Sequence, residues 1–272
     1  MLPQVADLRA EAAEFAGLLA ALRDDDWQRP TLFKRWTVDD IVRHVHVGDL
    51  MALASATNAE AFAALMADIR AKREAGLSRL EETRQRLGGL AGRALLDRWQ
   101  ETLERLCGVL APLPPQTRLP WAGPDMGVRM FTTARQMEVW SHAQAIWDLI
   151  GRSRPGASPR LRNIAEIGVR TFGWTYRNRG LPLPPAIPSV HLVGPSGDAW
   201  DWPQPPEGGS VRGEAVAFCQ VVAQTRNVGD TGLLVDGEIA RHWMSIAQCF
   251  AGPPETPPPP GSRHPAARGD TA

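Results

Sequence analysis

Residues 37–48 read TVDDIVRHVHVG and combine the start of a helix with a histidine in an apolar stripe. Thr37 and Asp40 have the spacing of a capping box, in which two side chains satisfy free backbone amides of the first turn. One helical face then carries, in order, Ile41, His44, Val45 and Gly48. The pattern predicts a helix that begins after Thr37 and turns His44 toward an apolar interior.

A second segment, from Phe131 to Ile150, places Glu138 and His142 four residues apart, so that their side chains stack on one helical face. The other residues of that face are Phe131, Ala134, Ala145 and Leu149. A carboxylate in such an apolar stripe is costly to bury unless it is paired or binds a cation. If the two helices face each other, His44, Glu138 and His142 converge.

Two imidazoles and one carboxylate form a ligand set suited to Zn²⁺ or another divalent transition metal. Three protein ligands leave a position for water or substrate, which is typical of catalytic rather than structural sites. Spacing alone leaves another interpretation open. Glu138 and His142 could be an ordinary helix-surface pair, and His44 a hydrogen-bonded core residue.

Two more segments have helical spacing of apolar residues, Val5–Leu22 and Leu95–Leu110, and Ala59–Leu87 is helix-prone and charged. Four long helices with turn-rich connections predict a four-helix bundle over residues 1–152. A linker is expected at 153–159.

After the linker, short predicted strands occur between the predicted helices. This pattern predicts an α+β domain over residues 160–251. Short strands are expected at Val190–Val193 and Ala199–Trp202, around a Gly-rich turn. The helices expected there are 161–176, 213–224 and 238–250. Residues 252–272 are rich in proline and poor in apolar side chains, which predicts a disordered tail.

Composition excludes several classes of function. Thirty basic residues balance thirty acidic ones among 272 residues, so no general field favours nucleic acid or an anionic membrane. No apolar stretch is long enough to span a bilayer and no signal peptide is visible, which favours a cytoplasmic location. Cys107, Cys219 and Cys249 lack the spacing of a disulfide framework or a cysteine-built zinc site.

Several other polar residues have simpler explanations. His46 points away from His44 and is expected to face another layer. Asp24–Asp26 is interpreted as a solvated helix end, and Asp39 and Asp40 as first-turn acids, although Asp40 could also support His44 from one turn away. His191 and His242 lack a matching partner pattern, and His264 falls in the tail.

The segments RWTVDDIVRHV (35–45) and MEVWSH (137–142), with the stop at Gly151, resemble a known family. They are similar to the DinB-like metal-binding bundle, in particular to the N-terminal domain of mycothiol-dependent maleylpyruvate isomerases. The resemblance implies that His44, Glu138 and His142 hold a divalent metal. The second half is similar to the accessory domain of these isomerases, which has a sterol-carrier-like α+β form. The whole chain resembles more closely an uncharacterised bacterial subfamily of such metal-binding proteins, through segments such as 161–176, 218–226 and 246–253.

The resemblance also implies a function. A metal-bound low-molecular-weight thiol such as mycothiol would attack a small electrophile in an isomerase or S-transferase reaction. Arg226 would be the arginine that the second domain contributes, pairing with a substrate carboxylate. Two alternatives stay open: a metal-dependent hydrolase that uses the same ligands, and a non-catalytic protein that binds an apolar ligand and carries a structural metal.

Overall fold

A computed structural model describes residues 2–152, 154 and 158–266. The chain forms two compact units, Met1–Ile146 and Trp147–Ala272. Helices dominate the first unit, and the second combines helices with a sheet, so the predicted α+β class is confirmed. Part of the predicted linker, residues 153 and 155–157, lies outside the described residues, as do residues 267–272.

The first unit contains the four long helices that the sequence predicted. They are α1 (Pro3–Ala20), α2 (Val38–Thr57), α5 (Gly92–Leu110) and α6 (Val128–Leu149). The last three residues of α6 belong to the second unit. The charged segment between α2 and α5 divides at Gly76 into α3 (Ala59–Glu74) and α4 (Arg79–Leu87). A two-residue hairpin precedes α6, with β1 (Arg118–Leu119) antiparallel to β2 (Met126–Gly127).

The interior of this unit is built around α5, which packs against both α1 and α2. Phe15 of α1 meets Trp99 of α5 edge to face, with ring centroids 5.2 Å apart, and both side chains are buried. Such aromatic pairs contribute specific geometry in addition to buried area. The Phe15–Trp99 contact joins α1 to α5, the helix on which α2 packs.

The second unit is built on a four-stranded mixed sheet. Its elements are α7 (Leu161–Arg170), α8 (Phe172–Asn178), β3 (Ser189–Val193), β4 (Ala199–Trp202), β5 (Ser210–Glu214), α9 (Ala215–Val222), β6 (Leu234–Asp236) and α10 (Glu238–Ile246). The strand order is β4-β3-β5-β6, with β3 and β5 parallel and the outer pairs antiparallel. Both strands predicted around the Gly-rich turn are present, joined in the register Val190–Trp202 to Val193–Ala199.

A close backbone approach explains the glycine at position 209, the second of the pair Gly208-Gly209. Gly209 has a φ of 75°, and a Cβ placed on it would lie 2.1 Å from the carbonyl oxygen of Asp236. No side chain fits there, because the backbone at Gly209 already contacts the backbone at Asp236 and Gly237. This glycine therefore lets β5 begin directly beside β6.

Residues 252–266 correct the prediction of a disordered tail. The side-chain amide of Asn227 donates to the carbonyl of Pro258 at 2.8 Å, and the amide of Gly261 donates to the Asp230 carboxylate at 2.8 Å. The amide of Ala266 donates to the carbonyl of Asp148 at 2.7 Å. Counting apolar residues misses this kind of attachment, since the backbone of the segment still offers a carbonyl acceptor at Pro258 and amide donors at Gly261 and Ala266.

The helices of the described ranges also bear on the membrane question. None of those within residues 2–152 and 158–266 combines the length and apolarity needed to cross a bilayer. Cys107, Cys219 and Cys249 are buried, and none of them forms a disulfide within the described residues.

Candidate metal centre

The start of α2 sets the position of His44. The Thr37 hydroxyl accepts a hydrogen bond from the amide of Asp40 at 3.2 Å, and the Asp40 carboxylate accepts one from the amide of Thr37 at 3.1 Å. The predicted capping box is therefore present. It fixes the first turn, and His44 follows one turn after Asp40 on the face that turns inward.

Three of the predicted site residues come together. The Nε2 atom of His44 lies 3.5 Å from Oε2 of Glu138, and the Nε2 atom of His142 lies 3.4 Å from the same oxygen. One ligand atom from each of the three residues lies within 4.8 Å of the other two. The rings of His44 and His142 meet nearly edge to face, with centroids 4.6 Å apart.

This spacing fits a cation. Donor atoms bound at about 2.0–2.1 Å in a tetrahedral site are separated from one another by roughly 3.4 Å. The two nitrogen–oxygen distances match that edge length, whereas a packed hydrophobic contact would need no such convergence. The donor set of two imidazoles and a carboxylate also has the softness that divalent transition metals select.

The protonation states favour the same use. Burial lowers the pKa of His44 to about 4, although its hydrogen bond with Glu138 acts in the opposite direction. Burial raises the pKa of Glu138, but the hydrogen bonds with His142 and His44 outweigh it and hold that pKa well below its usual value. At neutral pH the carboxylate is therefore ionised and the His44 imidazole neutral, which are the forms that bind metals.

Two aromatic residues that the sequence reasoning did not identify lie against the histidines. The Trp36 indole is parallel to the His142 ring, with centroids 6.3 Å apart, and lies 5.3 Å from the His44 ring. Phe33 meets His142 edge to face at 5.1 Å. These rings restrict the orientations of both imidazoles. Trp36 stands directly before the capping box, which is the one signal in the sequence that could have marked it.

The turn that carries these aromatic rings has an unusual backbone. Lys34 and Arg35 are adjacent and both have positive φ, 50° and 57°. The turn is closed by the Thr31 amide and hydroxyl, which donate to the Trp36 carbonyl at 2.8 and 2.9 Å. Left-handed backbone at two successive non-glycine residues is energetically costly, and it allows Phe33 and Trp36 both to lie against the His142 ring.

The other candidates have different surroundings. Arg226 lies in the second unit, where its guanidinium donates to both carboxylate oxygens of Asp148, at 2.8 and 2.6 Å. His46 is buried, as expected for a residue that faces another layer. Asp40 does not support His44: its carboxylate accepts hydrogen bonds from Arg84 at 2.8 and 2.7 Å and belongs to the helix start.

Comparison with solved structures supports the fold. The crystal structure of the mycothiol-dependent maleylpyruvate isomerase matches with a TM-score of 0.54 and 15% sequence identity, covering 86% of this chain and 92% of that chain. A histidine-to-alanine mutant of that enzyme matches with a TM-score of 0.53 and 16% identity, over the same shares of the two chains.

Sequence comparison identifies relatives over nearly the full length. Two proteins of Mycobacterium tuberculosis, from strains CDC 1551 and H37Rv, are each 39% identical over 253 residues, which is 93% of this chain and 96% of theirs. Both are described as uncharacterized. Residues 8–147, more than half of the chain, match the family model described as the mycothiol maleylpyruvate isomerase N-terminal domain, and the chain therefore belongs to that family.

Proposed function

We propose that this protein is a metal- and thiol-dependent enzyme of small-molecule metabolism, an isomerase or S-transferase. His44, Glu138 and His142 would hold the divalent ion, with Zn²⁺ as the preferred metal. The observation that carries the proposal is the convergence of two imidazole nitrogens on one carboxylate oxygen at 3.5 and 3.4 Å. The family and the fold of solved mycothiol-dependent maleylpyruvate isomerases support the thiol and the isomerase chemistry.

A bound divalent ion lowers the pKa of a coordinated thiol, so that the thiolate is available at neutral pH. The residues of this chain prepare the site for that chemistry. Glu138 supplies an ionised carboxylate, and His44 supplies a neutral nitrogen donor. Trp36 and Phe33 hold the imidazole planes in place and limit water around them. Orientation fixed in advance makes a site effective, because little reorganisation is left for the reaction.

Arg226 is proposed to bind a carboxylate of the substrate. Its planar guanidinium already binds the Asp148 carboxylate through two parallel hydrogen bonds, which is the geometry that a substrate carboxylate would require. Replacement by lysine keeps the charge and loses the fork. We expect Arg226→Lys to raise KM for a carboxylate-bearing substrate while the metal content stays unchanged. An unchanged KM would remove Arg226 from the site.

Metal content tests the proposed ligands. Wild type, His44→Ala and Glu138→Gln are purified in parallel and analysed by plasma mass spectrometry, with circular dichroism to check folding. His191→Ala is the matched control, since His191 is a half-exposed histidine of β3 that pairs with Asp201 at 2.7 Å. We expect one divalent ion per chain in wild type and control, and loss of the ion from both folded ligand variants. A metal-free wild type after reconstitution with Zn²⁺ would refute the site.

Catalysis is tested separately with a set of electrophiles. Isomerisation of maleylpyruvate and consumption of a low-molecular-weight thiol by other electrophiles are followed with and without a chelator. The proposal expects thiol-dependent turnover that the chelator abolishes and Zn²⁺ restores. Turnover that requires metal but no thiol would favour the hydrolase alternative. Bound metal without any turnover would favour the ligand-binding alternative.

A further inference from the structure

A buried ion pair joins the two helices that carry the candidate ligands. Arg135 of α6 donates from Nε to Oδ1 of Asp49 of α2 at 2.8 Å, and the Trp99 indole donates to Oδ2 of the same carboxylate at 2.8 Å. Asp49 is 0% exposed and Arg135 is 3% exposed. A second nitrogen of the guanidinium, Nη2, donates to the carbonyl of Val45 at 3.3 Å.

Stability alone is a poor explanation for such a pair. Two charges lose their hydration when they are buried, and their mutual attraction commonly does no more than offset that loss. Apolar residues of similar volume would fill the same space, although the Trp99 indole would lose its acceptor. What the pair supplies, and apolar side chains do not, is direction, since its hydrogen bonds are satisfied in only one alignment of the helices.

The pair lies between one and one and a half turns from the candidate ligands along each helix. Arg135 precedes Glu138 by three residues along α6, and Asp49 follows His44 by five residues along α2, directly after Gly48. The guanidinium rests on the backbone of α2 at Gly48, where an added Cβ would lie 2.6 Å from Nη2 and 3.0 Å from Cζ of Arg135. Glycine at this position therefore allows the close approach that the ion pair needs.

We infer that Gly48, Asp49 and Arg135 act as a positioning clamp, which fixes the register of α2 against α6 and so sets the separation of His44 from Glu138 and His142. The inference rests on the proposed function, since this separation has a consequence only if a cation is bound. A slip of one residue moves a helical side chain by about 1.5 Å along the axis and about 100° around it. Metal ligands tolerate far less than that.

The test uses Co²⁺ as the probe, because its visible absorption reports ligand geometry and its affinity can be measured by chelator competition. Arg135→Lys keeps the charge and loses the fork, Gly48→Ala displaces the guanidinium, and the double variant Asp49→Leu/Arg135→Met replaces the pair with apolar side chains. Arg9→Lys is the control, because Arg9 forms a more exposed two-point pair with Glu104 that joins α1 to α5 and not the helices of the candidate ligands. Thermal unfolding of the metal-free proteins is measured alongside.

We expect each clamp variant to bind Co²⁺ at least about 10-fold more weakly and with an altered spectrum, while Arg9→Lys behaves as wild type. The double variant leaves the Trp99 indole without its acceptor, so its stability is read from the thermal unfolding of the metal-free protein, and while folded it should still bind poorly. A double variant with wild-type affinity and spectrum would overturn the clamp. A wild type that binds no Co²⁺ would overturn the proposed function and the clamp together, so the two failures are distinguishable.

Discussion

Asp26 shows how much the surroundings of one side chain can differ from those of its neighbours in sequence. Asp24 and Asp25 are exposed, as expected for a solvated helix end, but Asp26 is buried and that expectation is wrong for it. Its carboxylate accepts hydrogen bonds from Arg23 and, at 2.8 Å, from Arg29. Those from Arg23 contribute most, and together they lower the pKa of Asp26 to about 2, against the opposing effect of burial.

A pH-dependent contribution to stability follows from this shift. The pKa of Asp26 is lower in the folded protein than its ordinary value of 3.8, so its stabilising effect is complete above about pH 4 and is lost as the pH falls toward 2. We expect Asp26→Asn to lower the free energy of unfolding by about 2 kcal/mol at pH 7, with the difference vanishing near pH 2. Urea unfolding across this range measures it. Asp25→Asn, the exposed neighbour, should change little at any pH.

Residue spacing was sufficient to find the candidate ligands and insufficient for their surroundings. Glu138 and His142 are recognisable because a helix places residues four apart on one face. Trp36 and Phe33 reach the histidines through a turn with left-handed backbone, and no periodicity encodes that. Asp49 and Arg135 are charged residues, which sequence patterns assign to the surface. They are buried because each supplies the hydrogen-bonding partner of the other.

The start of α2 is the element on which the placement of His44 depends most directly. Removing the Thr37 hydroxyl leaves the amide of Asp40 without its capping acceptor. We expect Thr37→Ala to lower the free energy of unfolding by about 1 kcal/mol, measured by urea denaturation at pH 7. Thr57→Ala, at the other end of the same helix, is the control, since its hydroxyl bonds only to the carbonyl of Leu53. Equal losses in both variants would show that the cap is not what fixes this end.

Elements with a clear apolar period were predictable, and short mixed ones were not. β3 and β4 were found because a Gly-rich turn separates them. β5 (SVRGE) contains a glycine and two charges, and β6 is three residues long, so neither has the alternation that marks a strand. The helix expected over 161–176 is divided at Thr171, whose hydroxyl donates to the carbonyl of Ile167 at 2.7 Å. Local side-chain hydrogen bonds of this kind compete with helix continuation.

The C-terminal segment makes the second unit depend on residues far along the chain. Residues 252–266 are attached through Asn227, Asp230 and the backbone at Asp148. We expect removal of residues 252–272 to lower the melting temperature by several degrees and to speed amide exchange over 224–230, because each lost hydrogen bond contributes about 1 kcal/mol. Removal of residues 267–272 alone is the control. Identical melting and exchange in the two truncated proteins would contradict this dependence.

The turn at Lys34 and Arg35 has a consequence for how the protein could be made more robust. A glycine at either position would relieve backbone strain of about 1–2 kcal/mol per residue. The same change would make the turn more flexible, and this turn holds Phe33 and Trp36 beside the histidine rings. Thermal stability would therefore rise while the orientation of the imidazoles became less fixed. A more stable turn at these two residues would thus come with greater mobility of the aromatic side chains.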